Sequence, residues 1–396
     1  ATINYKILIS LMTRNAVVIS PHPAARECCI DAANLLARVA VDAGAPDGVI
    51  QIIKDPNIPL IEEFMKSPKT AVILATGGTP MVRSAYSSSN PAIGVGPGNA
   101  PVFVDSSADI DKAANRIVES KSFDNSVLCT NESVLITLPE VDKQLRQSLK
   151  KYGAYFCDDD DTSRLRRYLF HGAGFNIETI GRDATWIAKE CGIRVPEKTA
   201  ILVAPIDQIG IEEPLSREKL CPVLAYHVAK NRDQAIMQAR AVLRLTGAGH
   251  SAAVHAMDET VTMAFARALE VYRIVVNAPC SQGAAGFGTA LAPTFTIGTG
   301  FFGRSSIGEN VGPEHLVHWT KLAYNEDTSE KFGDYFGIGN NFSGPLPSAP
   351  EDGVPGAGHY HFAPPTVSMN ADPLSSITRT ELRQMIAEEL RGALRG

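Results

Sequence analysis

The 396-residue chain has no uninterrupted apolar run approaching the roughly 20 residues that a membrane-spanning helix needs. It also lacks a block of like charge. Its 37 Lys and Arg are scattered among 43 Asp and Glu, a net charge of −6, which leaves no basic surface for nucleic acid. There is no CxxC pair and no metal-ligand spacing, so no metal is expected. The seven cysteines (Cys28, Cys29, Cys129, Cys157, Cys191, Cys221 and Cys280) are odd in number and widely spread. That pattern argues against a disulfide framework and for free thiols in a reducing compartment. No secretory leader is visible, so a cytoplasmic location is expected. The first residue is Ala1 rather than Met, and no internal repeat is found.

What is present is an ordinary apolar content of 44% in a chain too long for one small core, which points to two domains or a large α/β architecture. Short apolar runs at 16–20 (AVVIS), 49–53, 71–75 (AVILA), 92–95 and 101–104 read as buried parallel strands. Between them, residues 24–43 carry apolar side chains at helical spacing up to Gly44, a short helix covers 62–65, and another starts near Pro80. A helix over 109–122 and a strand over 133–137 flank Cys129; further strands follow at 200–203, 223–228, 252–255 and 274–276. Strands alternating with helices predict doubly wound parallel sheets. Residues 277–312 read as extended loops rich in Gly, Pro, Ser and Thr.

Two glycine turns stand at positions where chemistry is expected. Thr76-Gly77-Gly78 sits between a strand and a helix, where glycine lets a cofactor approach the backbone and the helix N-terminus favours phosphate. Gly96 and Gly98 lie in Gly94-Val95-Gly96-Pro97-Gly98-Asn99, between that turn and Cys129. A thiol at a helix-to-strand junction, downstream of such turns, is a candidate nucleophile for acyl transfer.

With these elements in order, the chain resembles the CoA-acylating members of the aldehyde dehydrogenase superfamily, the acetaldehyde and propionaldehyde dehydrogenase type. The residues that carry the likeness include Thr13-Arg14-Asn15-Ala16, Ser20-Pro21-His22-Pro23, Leu74-Ala75-Thr76-Gly77-Gly78, Pro91-Ala92-Ile93-Gly94-Val95-Gly96-Pro97-Gly98-Asn99 and Ser122-Phe123-Asp124-Asn125 with Cys129. Glu218-Lys219-Leu220 with Pro222, Gly249-His250 and Glu309-Asn310-Val311-Gly312-Pro313 complete it. The likeness runs from Ala1 to about Lys321. It implies an aldehyde dehydrogenase-like α/β fold with a cofactor domain over 1–108, a catalytic domain over 109–295, and a return to the cofactor domain and site loops over 296–336. It further implies NAD and coenzyme A as cofactors, Cys129 as nucleophile, and His250 beside it assisting thiol deprotonation. Ser20, Pro21 and His22 are expected at the adenosine end of the cofactor, Thr76, Gly77, Gly78, Gly96 and Gly98 along it, and Glu218 on the nicotinamide ribose. Cys280 is read as structural. Relatives are usually dimers or tetramers, so a homo-oligomer is expected.

Two departures from the wider family sharpen the expectation. Hydrolytic aldehyde dehydrogenases carry a glutamate before their glycine pair that activates water, whereas the stretch 94–98 has no carboxylate. A thioester on Cys129 then falls to the thiol of CoA, which ionises far more readily than water. The expected activity is oxidation of acetaldehyde or propionaldehyde to the acyl-CoA; a charged substrate such as sulfoacetaldehyde, met by Arg304, is the alternative within the fold. A non-catalytic cargo or scaffold protein is the alternative outside it. The family's preceding segment, with early strands and an oxyanion amide, has no counterpart before Ala1, so weak turnover is expected of these residues alone. Finally, a Gly/Pro-rich linker over 337–376 precedes a capping box, Thr378-Arg379-Thr380-Glu381, and an amphipathic stripe of Leu382, Met385, Ile386, Leu390 and Leu394. Residues 377–396 resemble the encapsulation peptides that dock enzymes on bacterial microcompartment shell proteins, which gives the microcompartment lumen as a second location.

Overall fold

Short apolar runs rich in β-branched residues form most of the strands, and Asp, Asn or Gly at the N-cap starts many of the helices. The computed structural model describes residues 2–172 and 174–323. Helix α1 (Thr2–Met12) leads into β1 (Val17–Ile19), α2 (Arg26–Asp42) and β2 (Ile50–Ile52), and β1 pairs in parallel with β2, Val17 opposite Ile50. The unit then repeats through α3 (Ile58–Lys66), β3 (Ile73–Thr76), α4 (Thr79–Tyr86) and β4 (Ala92–Val95), with β3 parallel to β4.

The larger sheet begins at β5 (Ala100–Val104) and α5 (Ile110–Ser122). It continues through β6 (Glu132–Thr137), α6 (Pro139–Lys151), β7 (Ala154–Phe156) and α7 (Asp159–Leu169) to a small hairpin of β8 (Phe170–His171) and β9 (Gly174–Phe175). After α8 (Ala184–Glu190) come β10 (Ile201–Pro205), β11 (Val223–Val228), α9 (Arg232–Leu245), β12 (Ala252–His255), α10 (Glu259–Ala268), β13 (Ile274–Val276) and the short α11 (Cys280–Ala284). Seven strands pair in the order β13-β12-β5-β6-β11-β10-β7, every neighbour parallel. β5 and β6 are buried along their whole length, which is why they read as continuous apolar runs rather than alternating ones. Carboxylate and amide caps start the surrounding helices: Asp109 accepts the Lys112 N–H, Asp183 that of Trp186, and Asn231 that of Gln234.

Two expectations change, and one element is added. The boundary expected at residue 108 falls one strand late, because β5 lies between β12 and β6 and belongs with the catalytic sheet. The loops expected over 277–312 contain α11, and Cys280 opens that helix fully buried. Helix α1 was not expected at all; it is apolar on most sides and buries Ile7 and Ile9. The segment around Ile307–Leu316 packs on α1, β3 and β4, with Ile9, Ile93 and Val311 at the centre. Tyr5 Oη also donates to the Val311 carbonyl at 2.6 Å. Residues up to Thr320 form one unit, and a second starts at Lys321. The linker at 337–376 and the helix at 377–396 lie outside the described residues, as does the end of 296–336. Among the described residues no helix is long and apolar enough to cross a membrane.

Glu132, the first residue of β6, has no solvent exposure, and its Oε1 accepts the Cys280 N–H at 3.0 Å. Burial raises its carboxyl to about 7. A carboxyl raised above its unfolded value stabilises the fold when protonated, so that contribution is lost as pH climbs from about 4.5 through 7, on the order of 3 kcal/mol. Glu132→Gln keeps the acceptor and removes the titration. Its melting temperature relative to the parent is therefore expected to be higher at pH 8 than at pH 5. A difference that does not move between those pH values would contradict the assignment.

Candidate active site

Cys129 sits in the turn that joins α5 to β6. Asp124, Asn125 and Ser126 precede it with φ of 50°, 47° and 61°, three successive left-handed residues. Asp and Asn tolerate this region better than other side chains, yet each such residue costs about 1 kcal/mol or more. The cost is met by tethers on both sides. Asn131 Nδ2 donates to the Ser120 and Phe123 carbonyls, Asn125 Nδ2 to Gly181 O, and Thr130 Oγ1 to Ser281 O. The result is a half-buried cysteine on a stiff turn, with its sulfur beneath the surface.

The opposite wall is the turn after β4. A Cβ on Gly98 would overlap the carbonyl oxygen of Cys129, so only glycine permits this approach. The Gly98 N–H donates to Glu218 Oε1 at 2.9 Å, which brings a carboxylate to a turn that has none of its own. Burial raises Glu218 to about 7, opposed by the Gly98 amide and the ammonium groups of Lys121 and Lys219. Both lysines are buried. Lys219 Nζ donates to the carbonyls of Leu215 (2.6 Å) and Arg217 (2.8 Å), and Lys121 Nζ to that of Lys219. Burial, with the Glu218 charge adding to it, pushes the Cys129 thiol up to about 12. In this state the sulfur is a protonated thiol.

Arg273 ties the remaining walls together. Its guanidinium is buried and donates to the carbonyls of His250 (Nε, 3.0 Å), Gly249 (Nη2, 3.0 Å) and Gly308 (Nη1, 2.7 Å), and also to Gly298 O. Its charge lies near the thiols of Cys129 and Cys280. A Cβ on Gly249 would overlap Thr299 O, so the Gly249-His250 turn and the loop at 299–303 are in direct backbone contact. His250 is fully buried, and its Nδ1 is 2.9 Å from Ser251 Oγ. Burial and the Arg273 charge lower it to about 3, so the ring is neutral. Its Nε2 has no hydrogen-bond partner, and neither has the buried Thr299 Oγ1.

Residues 1–158 match the model of the aldehyde dehydrogenase family. An aldehyde-alcohol dehydrogenase of Streptococcus pneumoniae is 40% identical over 81% of this chain, which spans only 38% of that relative's length. The acetylating aldehyde dehydrogenase of Geobacillus thermoglucosidasius is 37% identical with a TM-score of 0.78, covering 82% of this chain and 73% of its own. The chain belongs to the aldehyde dehydrogenase family. A third relative, a propionaldehyde dehydrogenase of Rhodopseudomonas palustris, was solved with bound CoA and an acylated cysteine. It is 31% identical with a TM-score of 0.71, covering 77% of this chain and 69% of its own.

The glycine turns expected to hold a dinucleotide carry polar groups beside them. A Cβ on Gly77 or Gly78 would meet only Met81 or Pro80 at ordinary contact distance, and Gly78 stands as the N-cap of α4, where a helix N-terminus favours phosphate. Lys6 Nζ donates to Leu74 O and to Thr76 Oγ1, both at 2.7 Å, which leaves the Thr76 hydroxyl proton to donate outward. Gly96 faces the unpartnered Thr299 Oγ1 at 3.7 Å from its would-be Cβ. Such orphan donors and acceptors beside glycine are what a polar ligand would satisfy.

Of the residues singled out in the sequence, Gly98 touches the Cys129 backbone and donates to Glu218, while Arg273 holds the backbone carbonyl of His250. Thr76, Gly77 and Gly78 cluster with Lys6 at the end of β3. Ser20, Pro21 and His22 leave the end of β1, where His22 Nδ1 accepts the Ala24 N–H at 3.2 Å. Arg273 and Lys6 were missed: each is a single basic residue in an otherwise apolar segment, with partners far away in the chain.

The raised thiol makes a direct prediction. Alkylation of Cys129 by iodoacetamide, followed peptide by peptide in a mass spectrometer, is expected to be slow at pH 7.5 and to rise without a plateau to pH 10. Glu218→Gln removes the neighbouring negative charge and is expected to speed the reaction at pH 8 by roughly three- to tenfold. A plateau below pH 8 in the parent would show an ionised thiol instead.

Proposed function

We propose that the chain oxidises a short aldehyde, acetaldehyde or propionaldehyde, to its acyl-CoA ester, with NAD as hydride acceptor and Cys129 as nucleophile. The observation that carries this is the contact between Cys129 and a Gly-Pro-Gly turn that contributes no carboxylate of its own. The sulfur attacks the carbonyl carbon to form a thiohemiacetal, and loss of hydride from that carbon leaves a thioester on Cys129. The CoA thiol then attacks the acyl carbon; the bond to Cys129 breaks and the sulfur recovers a proton.

NAD, when bound, supplies the hydride acceptor. Thr76, Gly77, Gly78, Gly96 and Gly98 are the residues that would hold it, and Glu218 would accept hydrogen bonds from the nicotinamide ribose hydroxyls. The Glu218 carboxylate is already engaged by the Gly98 amide. Neutral His250, whose buried Nε2 has no hydrogen-bond partner, would be the group to exchange a proton with the thiol of CoA. The acylated cysteine of the Rhodopseudomonas relative supports this order of events. The non-catalytic scaffold reading is not favoured.

Mixing the protein with propionaldehyde and NAD is expected to give a burst of NADH near one equivalent per site, with steady turnover only when CoA is added. Cys129→Ala is expected to abolish the burst. Steady turnover to free acid without CoA would point to hydrolysis, and a substrate panel that includes sulfoacetaldehyde would separate neutral from anionic aldehydes.

The amphipathic stripe at 377–396 supports a second element of the proposal, docking on a microcompartment shell protein. Deleting 373–396 is expected to leave activity unchanged and to abolish co-purification with shells. Co-purification that survives the deletion would remove this role.

A further inference from the structure

The backbone around His250 is clamped, but its ring is held at a single point. Arg273 donates to the carbonyls of Gly249 and His250, which fixes the main chain there. The ring has one hydrogen bond, between Nδ1 and Ser251 Oγ at 2.9 Å, and Nε2 has none. Both residues lack any solvent exposure, so bulk water does not reach the pair.

A neutral imidazole carries one proton, and the partner of one ring nitrogen decides what the other can do. A hydroxyl can accept from Nδ1–H, which leaves Nε2 as a base, or donate to Nδ1, which makes Nε2 the donor. The choice turns on where the Ser251 proton goes. The same hydroxyl also meets the fully buried Cys280 thiol. The Cys280 N–H is held by Glu132 Oε1 at 3.0 Å, and the Glu132 charge acts on that thiol. A proton on the Ser251 oxygen is therefore better placed pointing to the sulfur, with a carboxylate behind it, than to the ring. Cys280, which the acyl chemistry leaves unused, acquires a purpose.

We propose that Ser251 is a positioning residue for the CoA step: its hydroxyl accepts the Nδ1 proton of His250 and turns its own toward the Cys280 sulfur, which leaves Nε2 bare to take the proton of the CoA thiol. This rests on the acyl-CoA reading above. Nδ1 keeps its proton throughout, and Nε2 gives up the one it gained as the Cys129 sulfur departs and needs it.

Two measurements on the full chain test it. Isotope-edited NMR of the histidine rings, with His250 assigned by its loss in His250→Gln, reads the tautomer without turnover. The parent is expected to carry the proton on Nδ1, and Ser251→Ala to move it to Nε2. A parent with its proton on Nε2 would overturn the proposal. The second is the pH dependence of the CoA step. Burial and the Arg273 charge keep the ring neutral, so the CoA-dependent rate of the parent is expected to be flat from about pH 6 to 8. In Ser251→Ala only CoA that has already ionised reacts. Its rate at neutral pH is expected to fall roughly ten- to a hundredfold and to climb about tenfold per pH unit toward a thiol value near 8.5. KM for CoA and the amplitude of the NADH burst should hold, and Ser251→Thr, which keeps the hydroxyl, should restore the flat profile. A loss of burst and CoA step together with no change of pH slope would mark a structural role and overturn the proposal. A Ser251→Ala variant that matches the parent would also overturn it, and would leave the acyl-CoA reading standing. A parent with neither burst nor CoA-dependent turnover would overturn both.

Discussion

The buried guanidinium of Arg273 is the interaction on which the site depends. A strand start, a glycine turn and two loop segments approach one another with their carbonyls inward, and Arg273 supplies the donors that satisfy them. Removing it would leave those carbonyls buried without partners, at a cost of about 1–3 kcal/mol each. Because its hydrogen bonds go to backbone rather than to side chains, it fixes where the chain runs. His250 and Thr299 inherit their positions from that path.

The electrostatics follow from the same burial. Ammonium, guanidinium, carboxyl and thiol groups crowd a region from which water is largely removed, and each is pushed toward its neutral form. Cys129 rests as a thiol, His250 as a neutral imidazole, and Glu218 near the midpoint of its titration. A site poised in this way responds strongly to the arrival of charge. A cationic nicotinamide near the sulfur would lower the cost of ionising it, so activation of the nucleophile can wait for the complete set of substrates.

Much of the fold was legible in the sequence because parallel strands buried on both faces need short continuous apolar runs. Such runs at 71–75, 133–137 and 223–228 could be placed within a residue or two. Boundaries between sheets were not legible in the same way. The run at 101–104 looks like those before it, and only long-range pairing with β6 and β12 assigns it to the larger sheet. Cys129, Gly98 and Glu218 were each found from local motifs, while the hydrogen bond that joins Gly98 to Glu218 spans 120 positions and leaves no local trace. Arg273 and Lys6 were invisible for a related reason, since their meaning lies entirely in the carbonyls and hydroxyl they reach.

The backbone contact between Gly98 and Cys129 has a mechanical consequence. No side chain stands between the turn after β4 and the carbonyl of the nucleophile, so there is no soft layer to absorb displacement. Any rocking of the turn is passed to the thiol undamped, like two gear teeth in mesh. Loops farther out can therefore drift and acquire new substrate preferences while the reacting atoms keep their alignment.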